Sequence, residues 1–259
     1  ALMTTPPRFE RYVAIGDSST EGLDDPDGNG GYRGWANRLA EKIAAAQGSL
    51  WYANLGIRGR STRRIRQEQL SPAAAMRPDL VTLFSGTNDV VKPRFDAGAL
   101  ARDVEHMQRT LIVGGATVLT FTLPDLTPVL PLARPISGRI RLLNETLRRV
   151  SASTGAILVD LAAHPVASDP RLWSPDRLHA NAVGHTRIAA ALAHALGLPG
   201  TDETWAQPLP KVAPPTARER LAAEIRWGRR FLLPWAWRHL RGSSLGDGLG
   251  PKRPNLEPM

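Results

Sequence analysis

Short apolar runs alternate with helical patterns along most of this sequence, and this alternation is the feature that most restricts the possible fold. Five runs rich in branched and aromatic residues are typical of buried strands. Strands that alternate with helices of ordinary length indicate βα units, and therefore a parallel sheet covered by helices on both faces. The predicted strands are 12–15, 50–55, 80–84, 117–122 and 157–161, and the predicted helices are 35–46, 65–76, 97–113, 140–154 and 182–196.

The preference for right-handed crossovers leaves few topologies for such a chain. The simplest is a three-layer α/β/α flavodoxin-like sandwich around a five-stranded parallel sheet. We assign this domain to residues 8–198. Residues 199–259 differ in composition: a Pro-rich linker comes first, then a basic, Trp-rich amphipathic segment, and last a tail that we expect to be disordered or loosely packed.

Composition excludes some kinds of chemistry. The sequence has no cysteine, which rules out disulfides, thiolate metal sites and cysteine nucleophiles. Its apolar runs are strand-sized, too short for a membrane span, and residues 1–8 lack the pattern of a signal peptide. We expect a cytoplasmic or membrane-peripheral protein, with secretion left open in case a signal peptide was trimmed. The net charge of +9 favours anionic partners.

Polar residues directly follow the predicted strands. In an open parallel sheet, ligands bind outside the carboxyl ends of the strands, so these residues should converge on one edge. A hydroxyl, backbone-exposing glycines, an amide and an Asp/His pair are the components of nucleophilic acyl transfer. They occur in the segments GDSS (16–19), NLGIRGRS (54–61), SGTND (85–89) and SPDRLHANAVGH (174–185).

These four segments resemble the motifs of the SGNH (GDSL) hydrolases. Gly-Asp-Ser follows the first strand, a glycine follows the second, Gly-x-Asn-Asp follows the third, and Asp-x-x-His comes near the end of the domain. The motifs stand in the family's order at compatible spacing and cover nearly the whole domain. One departure is Ser19, which stands where the short motif has Leu.

The resemblance implies a role for each matching residue. Ser18 would be the nucleophile, and His179, oriented by Asp176, would take its proton. The Ser18 N–H, the Gly59 N–H and the Asn88 side chain would stabilise the oxyanion. The resemblance requires no metal and no organic cofactor.

Simpler roles remain open for several of these residues. Ser18 and Ser19 both follow the strand, and either could cap a helix. Gly56 competes with Gly59 as the oxyanion glycine. His185 competes with His179, but no carboxylate stands three or four residues before it. The spacing of Asp176 and His179 would place both on one face of a helical turn.

Two arginine-rich stretches are not explained by the motifs. Arg58 and Arg60, in the 58–66 stretch, either bind an anionic part of the substrate or belong to a solvated first helical turn. In the C-terminal segment, a basic helix with aromatic residues on its apolar side either contacts an anionic membrane surface or packs onto the domain or a second copy. Its residues are Arg226, Trp227, Arg229, Arg230, Phe231, Leu232, Leu233, Trp235, Trp237, Arg238 and Arg241.

The sequence therefore predicts a serine hydrolase that cleaves carboxylic esters with short- to medium-chain or lipid-like acyl groups. The alternatives are an acyltransferase, a thioesterase, a carbohydrate deacetylase or a non-catalytic binding module on the same site. The expected partners are a small-molecule or lipid ester and, through the C-terminal segment, a membrane surface. No nucleic-acid motif accompanies the positive charge, and the oligomeric state is left open.

Overall fold

The computed structural model describes residues 8–213, 216–234, 246 and 248–259. Its strands are β1 (Arg11–Gly16), β2 (Trp51–Asn54), β3 (Leu80–Phe84), β4 (Thr117–Phe121), β5 (Ile157–Val159) and β6 (Arg253–Pro258). They form one sheet in the order β5-β4-β3-β1-β2-β6. The first five strands are parallel, and β6 runs antiparallel to β2. The predicted α/β fold with a central parallel sheet is confirmed.

Helices cover the sheet in two groups. They are α1 (Ser18–Glu21), α2 (Gly34–Gln47), α3 (Thr62–Ala75), α4 (Thr87–Val90), α5 (Ala97–Val113), α6 (Ser137–Thr154), α7 (Ala182–Ala195) and α8 (Ala217–Trp227). Helices α2 and α7 pack against each other, whereas α5 packs against both α3 and α6. The five predicted helices are present. The short α1 and α4 were not predicted, and each follows directly after a strand.

Aromatic side chains form the core beneath the carboxyl edge of the sheet. The rings of Phe84 and Phe121, on neighbouring strands, stack with centroids 4.1 Å apart. The indole of Trp35, from α2, meets Phe121 edge-on at 5.2 Å and is fully buried. Burial of such large side chains is the main favourable contribution to folding. The ends of β1, β3 and β4 are therefore packed against a close-packed aromatic core.

The sixth strand corrects the prediction of a five-stranded sheet. Residues 253–258, assigned to a disordered or loosely packed tail, form β6 beside β2. The tail continues this pairing through Met259, whose N–H donates to the Leu50 carbonyl at 2.9 Å. The RPNLEP segment lacks apolar alternation because an edge strand is held mainly by its backbone bonds. Proline is tolerated in such a strand because one side of its backbone has no partner strand.

Helix α8 lies within the predicted amphipathic segment. It begins with a capping box in which Thr216 and Glu219 bond each other's backbone, and one wider turn, Gly228–Leu232, continues it. The predicted aromatic and basic residues Trp235, Trp237, Arg238 and Arg241 lie outside the described residues. Among the helices that the structure describes, none has both the length and the apolar character needed to cross a membrane.

Candidate active site

The end of β1 presents Ser18 at the first position of α1. Gly16 allows this tight exit, because a Cβ there would lie 2.1 Å from Thr20 Oγ1 and 2.6 Å from the Phe84 carbonyl oxygen. The Asp17 carboxylate caps the helix by accepting the Ser19 N–H at 3.0 Å. The capping role considered for either serine is therefore filled by Asp17.

The two serines differ in their partners. Ser18 Oγ lies 2.8 Å from His179 Nε2. Ser19 Oγ instead accepts the indole N–H of Trp35 at 3.1 Å. Of the two hydroxyls, only Ser18 is bonded to an imidazole, and only that bond provides a base for its proton.

His179 and Asp176 lie on one turn before α7. His179 Nδ1 is 2.6 Å from Asp176 Oδ2. The other oxygen, Oδ1, accepts the backbone N–H groups of Leu178 and His179 at 2.8 and 3.0 Å. An ionised carboxylate can only accept, so Nδ1 carries the proton and Nε2 is left to accept from Ser18.

The prediction that a helical turn brings this pair together is wrong, although the contact itself is present. The backbone of 174–181 is not helical. Arg177, between the pair, adopts a positive φ of 66°. The turn is closed by a bridge between Trp173 and Ala180 and by the bonds from the Asp176 carboxylate to the backbone, as is typical of Asx-turns.

Mutual stabilisation shifts both pKa values apart. Burial alone would raise the pKa of Asp176, but the hydrogen bond and charge of His179 hold that pKa well below its ordinary value. Burial alone would lower the pKa of His179, but the bond to Asp176 and the nearby carboxylates raise it above the ordinary value. The pair therefore favours a positive imidazole, which forms when a base takes a proton.

A second carboxylate, which the sequence reasoning missed, lies beside this pair. Asp24 Oδ2 is 3.7 Å from His179 Nδ1. The Ser174 hydroxyl lies 2.7 Å from the same Asp24 oxygen and 2.5 Å from Asp176 Oδ1. Burial, opposed by the Ser174 bond, leaves the pKa of Asp24 above its ordinary value. Asp24 follows no strand and has a positive φ of 64°, so neither position nor motif pointed to it.

Asn88 lies in α4, the short helix that follows β3. Its amide nitrogen donates to Asp17 Oδ2 at 3.2 Å and to the Arg60 carbonyl at 3.0 Å. Asp17 is fully buried, and this burial raises its pKa to about 6. The amide is thus held between the ends of β1 and β2. Of its two bonds, the longer one to Asp17 is the easier to exchange for another acceptor.

The structure distinguishes the two candidate glycines. The Gly56 N–H donates to the Asn54 side chain at 2.9 Å. The Gly59 N–H donates to no residue that the structure describes, and Gly59 has a positive φ of 75°, which favours glycine. The Ser18 N–H likewise has no acceptor among the described residues. The predicted oxyanion donors Ser18 and Gly59 therefore have backbone N–H groups available for a ligand.

The two arginines proposed as substrate ligands are held by protein carboxylates. Arg58 pairs with Glu21 through its guanidinium and its backbone N–H. Arg60, nearly buried, lies 2.6 Å from Glu68 and 3.2 Å from the Gly246 carbonyl. These contacts do not support the substrate-binding prediction. The solvated alternative also fails for Arg60, because its side chain is only 7% exposed.

His185, the competitor of His179, supports the backbone. Its Nδ1 accepts the Trp35 N–H at 3.1 Å, and its Nε2 lies 3.0 Å from the Leu23 carbonyl. The ring is fully buried, and this burial lowers its pKa to about 4. A neutral imidazole with both nitrogens engaged ties α7 to the loop after α1.

An apolar pocket opens beside Ser18 and His179. Its cavity volume is about 70 Å³, several times the roughly 10–15 Å³ below which a cavity cannot hold a water molecule. The size suits a short chain of a few heavy atoms. The lining is mostly aromatic and aliphatic, with Phe84, Phe121, Leu123, Trp173, Ile188 and Trp205 as its main members.

One group of side chains has the composition of a metal site. Ligand atoms of Asp24, Asp176 and His179 lie within 4.8 Å of one another, the only such grouping among the residues that the structure describes. His179 is bonded to Asp176, and both carboxylates are bonded to the Ser174 hydroxyl. Their arrangement therefore needs no cation to account for it.

The fold and the order of these residues along the chain agree with one family of hydrolases. The family described as "GDSL-like Lipase/Acylhydrolase family" matches residues 14–187. The chain belongs to this family. A search of curated proteins finds no match.

Solved structures show the same fold at low sequence identity. One is a lipase/acylhydrolase from Enterococcus faecalis, with a TM-score of 0.60, 22% identity, and coverage of 73% of this chain and 96% of its own. A second is Axe2, an acetylxylan esterase from Geobacillus stearothermophilus, with a TM-score of 0.64, 17% identity, and coverage of 79% and 99%. A third is TesA, with a TM-score of 0.61, 19% identity, and coverage of 72% and 98%.

Proposed function

We propose that this hydrolase cleaves esters of short-chain carboxylic acids through a covalent intermediate on Ser18. The observation that carries the proposal is the unbroken series of hydrogen bonds from Ser18 Oγ through His179 to Asp176, next to an apolar pocket. A nucleophile, a base and an orienting carboxylate within hydrogen-bond distance are what acyl transfer requires.

In the first step, Ser18 Oγ attacks the ester carbonyl while His179 Nε2 takes the hydroxyl proton. The imidazolium that forms is stabilised by Asp176, and it then gives its proton to the leaving alcohol. The resulting acyl group is bonded to Ser18. In the second step, His179 takes a proton from water, the hydroxide attacks the acyl carbonyl, and the acid leaves as Ser18 regains its proton.

The negative oxygen formed in each step needs donors. We assign this role to the Ser18 N–H, the Gly59 N–H and the Asn88 amide. Support comes from the two backbone N–H groups having no acceptor among the described residues. Asn88 would join them by exchanging its bond to Asp17 for one to the oxyanion.

The acyl group is assigned to the pocket that begins at Ser18. An apolar cavity of about 70 Å³ is small, which favours a short acyl chain over a long one. The acetyl group of an acetylated sugar is a short acyl chain, and two structural neighbours are named acetylxylan esterases. An acetylated xylo-oligosaccharide is therefore a second substrate to test.

The test is a series of p-nitrophenyl esters from acetate to decanoate, assayed with wild type, Ser18→Ala and Ser19→Ala. We expect kcat/KM to be highest for the short chains and to fall about 10⁴-fold or more in Ser18→Ala. Ser19→Ala removes a neighbouring hydroxyl and should retain activity within about tenfold. Activity that survives in Ser18→Ala and disappears in Ser19→Ala would overturn the assignment.

Two further measurements separate the proposal from its alternatives. Mass spectrometry after treatment with a fluorophosphonate should place the adduct on Ser18, whereas a binding module would form none. Partition of product in the presence of added alcohols tests transfer: an excess of new ester over acid would show an acyltransferase rather than an esterase.

A further inference from the structure

Helix α8 lies beyond the part of the chain that matches the family. The family match ends at residue 187, and α8 begins at Ala217. Two of the structural neighbours cover 71% and 79% of this chain. One face of α8 packs against the domain, and the other is exposed to solvent.

The inner face holds α8 against the turn that carries Asp176 and His179. The indole N–H of Trp227 donates to the Asp176 carbonyl at 3.1 Å. Arg177 forms two bonds with Glu224, at 2.8 and 2.7 Å, and its guanidinium lies 4.9 Å above the Trp227 ring. Trp227 is only 9% exposed. This tryptophan is therefore used within the protein and is unavailable to a membrane.

The outer face presents apolar side chains to solvent. Leu221 is 62% exposed and Ile225 is 50% exposed, and their spacing of four residues places them on one side of the helix. Leu233, just after the following turn, is 64% exposed. Large exposed side chains grouped in this way mark a surface that contacts something else.

Basic side chains flank this apolar strip. Arg218 and Arg229 are exposed, and their spacing of three residues from Leu221 and four from Ile225 places them on the side of the strip. Arg226 is also exposed, but it lines the cleft between α8 and the domain. The acidic residues of α8 are already engaged, since Glu219 belongs to the capping box and Glu224 pairs with Arg177. The outer face is therefore positive, with an apolar centre.

We propose that α8 and the turn after it dock on an anionic lipid surface. Leu221, Ile225 and Leu233 would enter the headgroup region, and the flanking arginines would contact lipid phosphates. An apolar strip bordered by arginines is the pattern of helices that lie in a membrane interface, and Arg attracts anionic lipid through charge. Lipid accounts for the charge as well as the apolar strip, whereas a second copy of this basic chain would bring like charges together.

Sedimentation of the full chain with lipid vesicles tests the proposal. One set of vesicles is phosphatidylcholine alone, and the other contains equal parts of phosphatidylcholine and phosphatidylglycerol. The test variant is Leu221→Glu/Ile225→Glu. The matched control, Val113→Glu/Leu142→Glu, adds the same charge at exposed apolar residues of α5 and α6.

We expect wild type to sediment with the anionic vesicles and not with the neutral ones, less strongly as salt is raised. The test variant should bind the anionic vesicles at least about tenfold more weakly, and the control variant should bind like wild type. Hydrolysis of a soluble ester and circular dichroism verify that each variant is folded. Vesicle sedimentation and circular dichroism do not depend on whether the proposed ester hydrolysis is correct.

Three results would overturn the proposal. The first is wild-type binding to anionic vesicles that is no stronger than binding to neutral ones. The second is an equal loss of vesicle binding in the test and control variants, which would show that binding depends only on net charge. The third is a dimer in sedimentation velocity that the test variant dissociates, because the apolar strip would then be an interface between copies.

Discussion

Asp24 places a second carboxylate oxygen 3.7 Å from His179 Nδ1, the same ring nitrogen that bonds to Asp176. The groups that face this imidazole are the carboxylates of Asp176, Asp24 and Asp17 and the neutral ring of His185. Negative charge around His179 stabilises its protonated form, so the environment raises the pKa at which the base becomes unavailable.

Replacing Asp24 by Asn should move the acid limb of the pH profile. The substitution removes one negative charge facing His179, which lowers its pKa and leaves more neutral base at low pH. The acid limb of kcat/KM should therefore shift to lower pH, with activity at pH 8 within about threefold of wild type. Asp27→Asn makes the same charge change on an exposed loop and should leave the limb in place. An unchanged limb in Asp24→Asn would show that Asp24 has no influence on the base.

The bond from Trp227 to the Asp176 carbonyl should matter for turnover rather than for substrate binding. Trp227→Phe keeps an aromatic ring but removes the donor, which loosens the turn that positions Asp176 and His179. We expect kcat to fall about fivefold, the equivalent of one hydrogen bond of about 1 kcal/mol, with KM little changed.

Steady-state kinetics of Trp227→Phe measures this effect, with Trp51→Phe as the matched control. Trp51 is a half-exposed tryptophan of β2, and its substitution should leave both constants unchanged. A rise in KM at constant kcat would contradict the proposed positioning role of Trp227.

Asn88→Ala should reduce kcat by about 10²–10³, the usual effect of losing one oxyanion donor. KM should change little, since the donor acts on charge that develops during the reaction. Inhibition by a boronic acid, which resembles the tetrahedral species, should weaken in parallel. A variant with less than about threefold loss in kcat would remove Asn88 from the oxyanion hole.

Protonation of His185 should destabilise the fold in mild acid. Its pKa is near 6.5 in the unfolded chain and about 4 in the folded one. The unfolded state therefore binds this proton first, and stability is lost as pH falls from about 6.5 towards 4. The linkage amounts to about 2 kcal/mol between pH 7.5 and 5.

Urea unfolding of wild type and His185→Gln at these two pH values measures the contribution. The variant should lose less stability than wild type on acidification, by about 2 kcal/mol. Asp17, whose pKa is raised to about 6 by burial, acts in the opposite direction but is present in both proteins. Equal losses in the two proteins would show that His185 does not titrate in this range.

The locations best predicted from the sequence are those that follow from topology, whereas the choice of Ser18 over Ser19 and the role of Asn88 came from the family resemblance. Ser18 and Asn88 each come directly after a strand, and the carboxyl ends of parallel strands meet at one edge of the sheet. The rule needs only strand positions, which apolar runs indicate well. The same rule placed Gly56 and Gly59 near them, and the family resemblance favours Gly59. In the structure the Gly56 N–H is bonded to Asn54, whereas the Gly59 N–H has no acceptor among the described residues.

What the sequence did not reveal depends on contacts between distant parts of the chain. Arg60 was considered as a ligand because it stands beside Gly59, but Glu68 in α3 and the distant Gly246 carbonyl engage it. Asp24 reaches His179 across 155 residues only because its backbone turns at a positive φ. The strand β6 is held by backbone hydrogen bonds to β2. Such bonds do not require apolar and polar residues to alternate in the sequence. Such features follow from the assembled fold and not from local composition.

The pairing of β2 with β6 also determines the order in which the sheet can be completed. Asn54 is paired with Arg253, so about 200 residues separate the two strands in the chain. At a synthesis rate of about 5–20 residues per second, the outer edge of β2 has no partner for about 10–40 s. A strand edge in that state is a template for pairing with other chains. Aggregation of newly made protein should therefore depend on translation speed and chaperone supply, even when the finished molecule is stable.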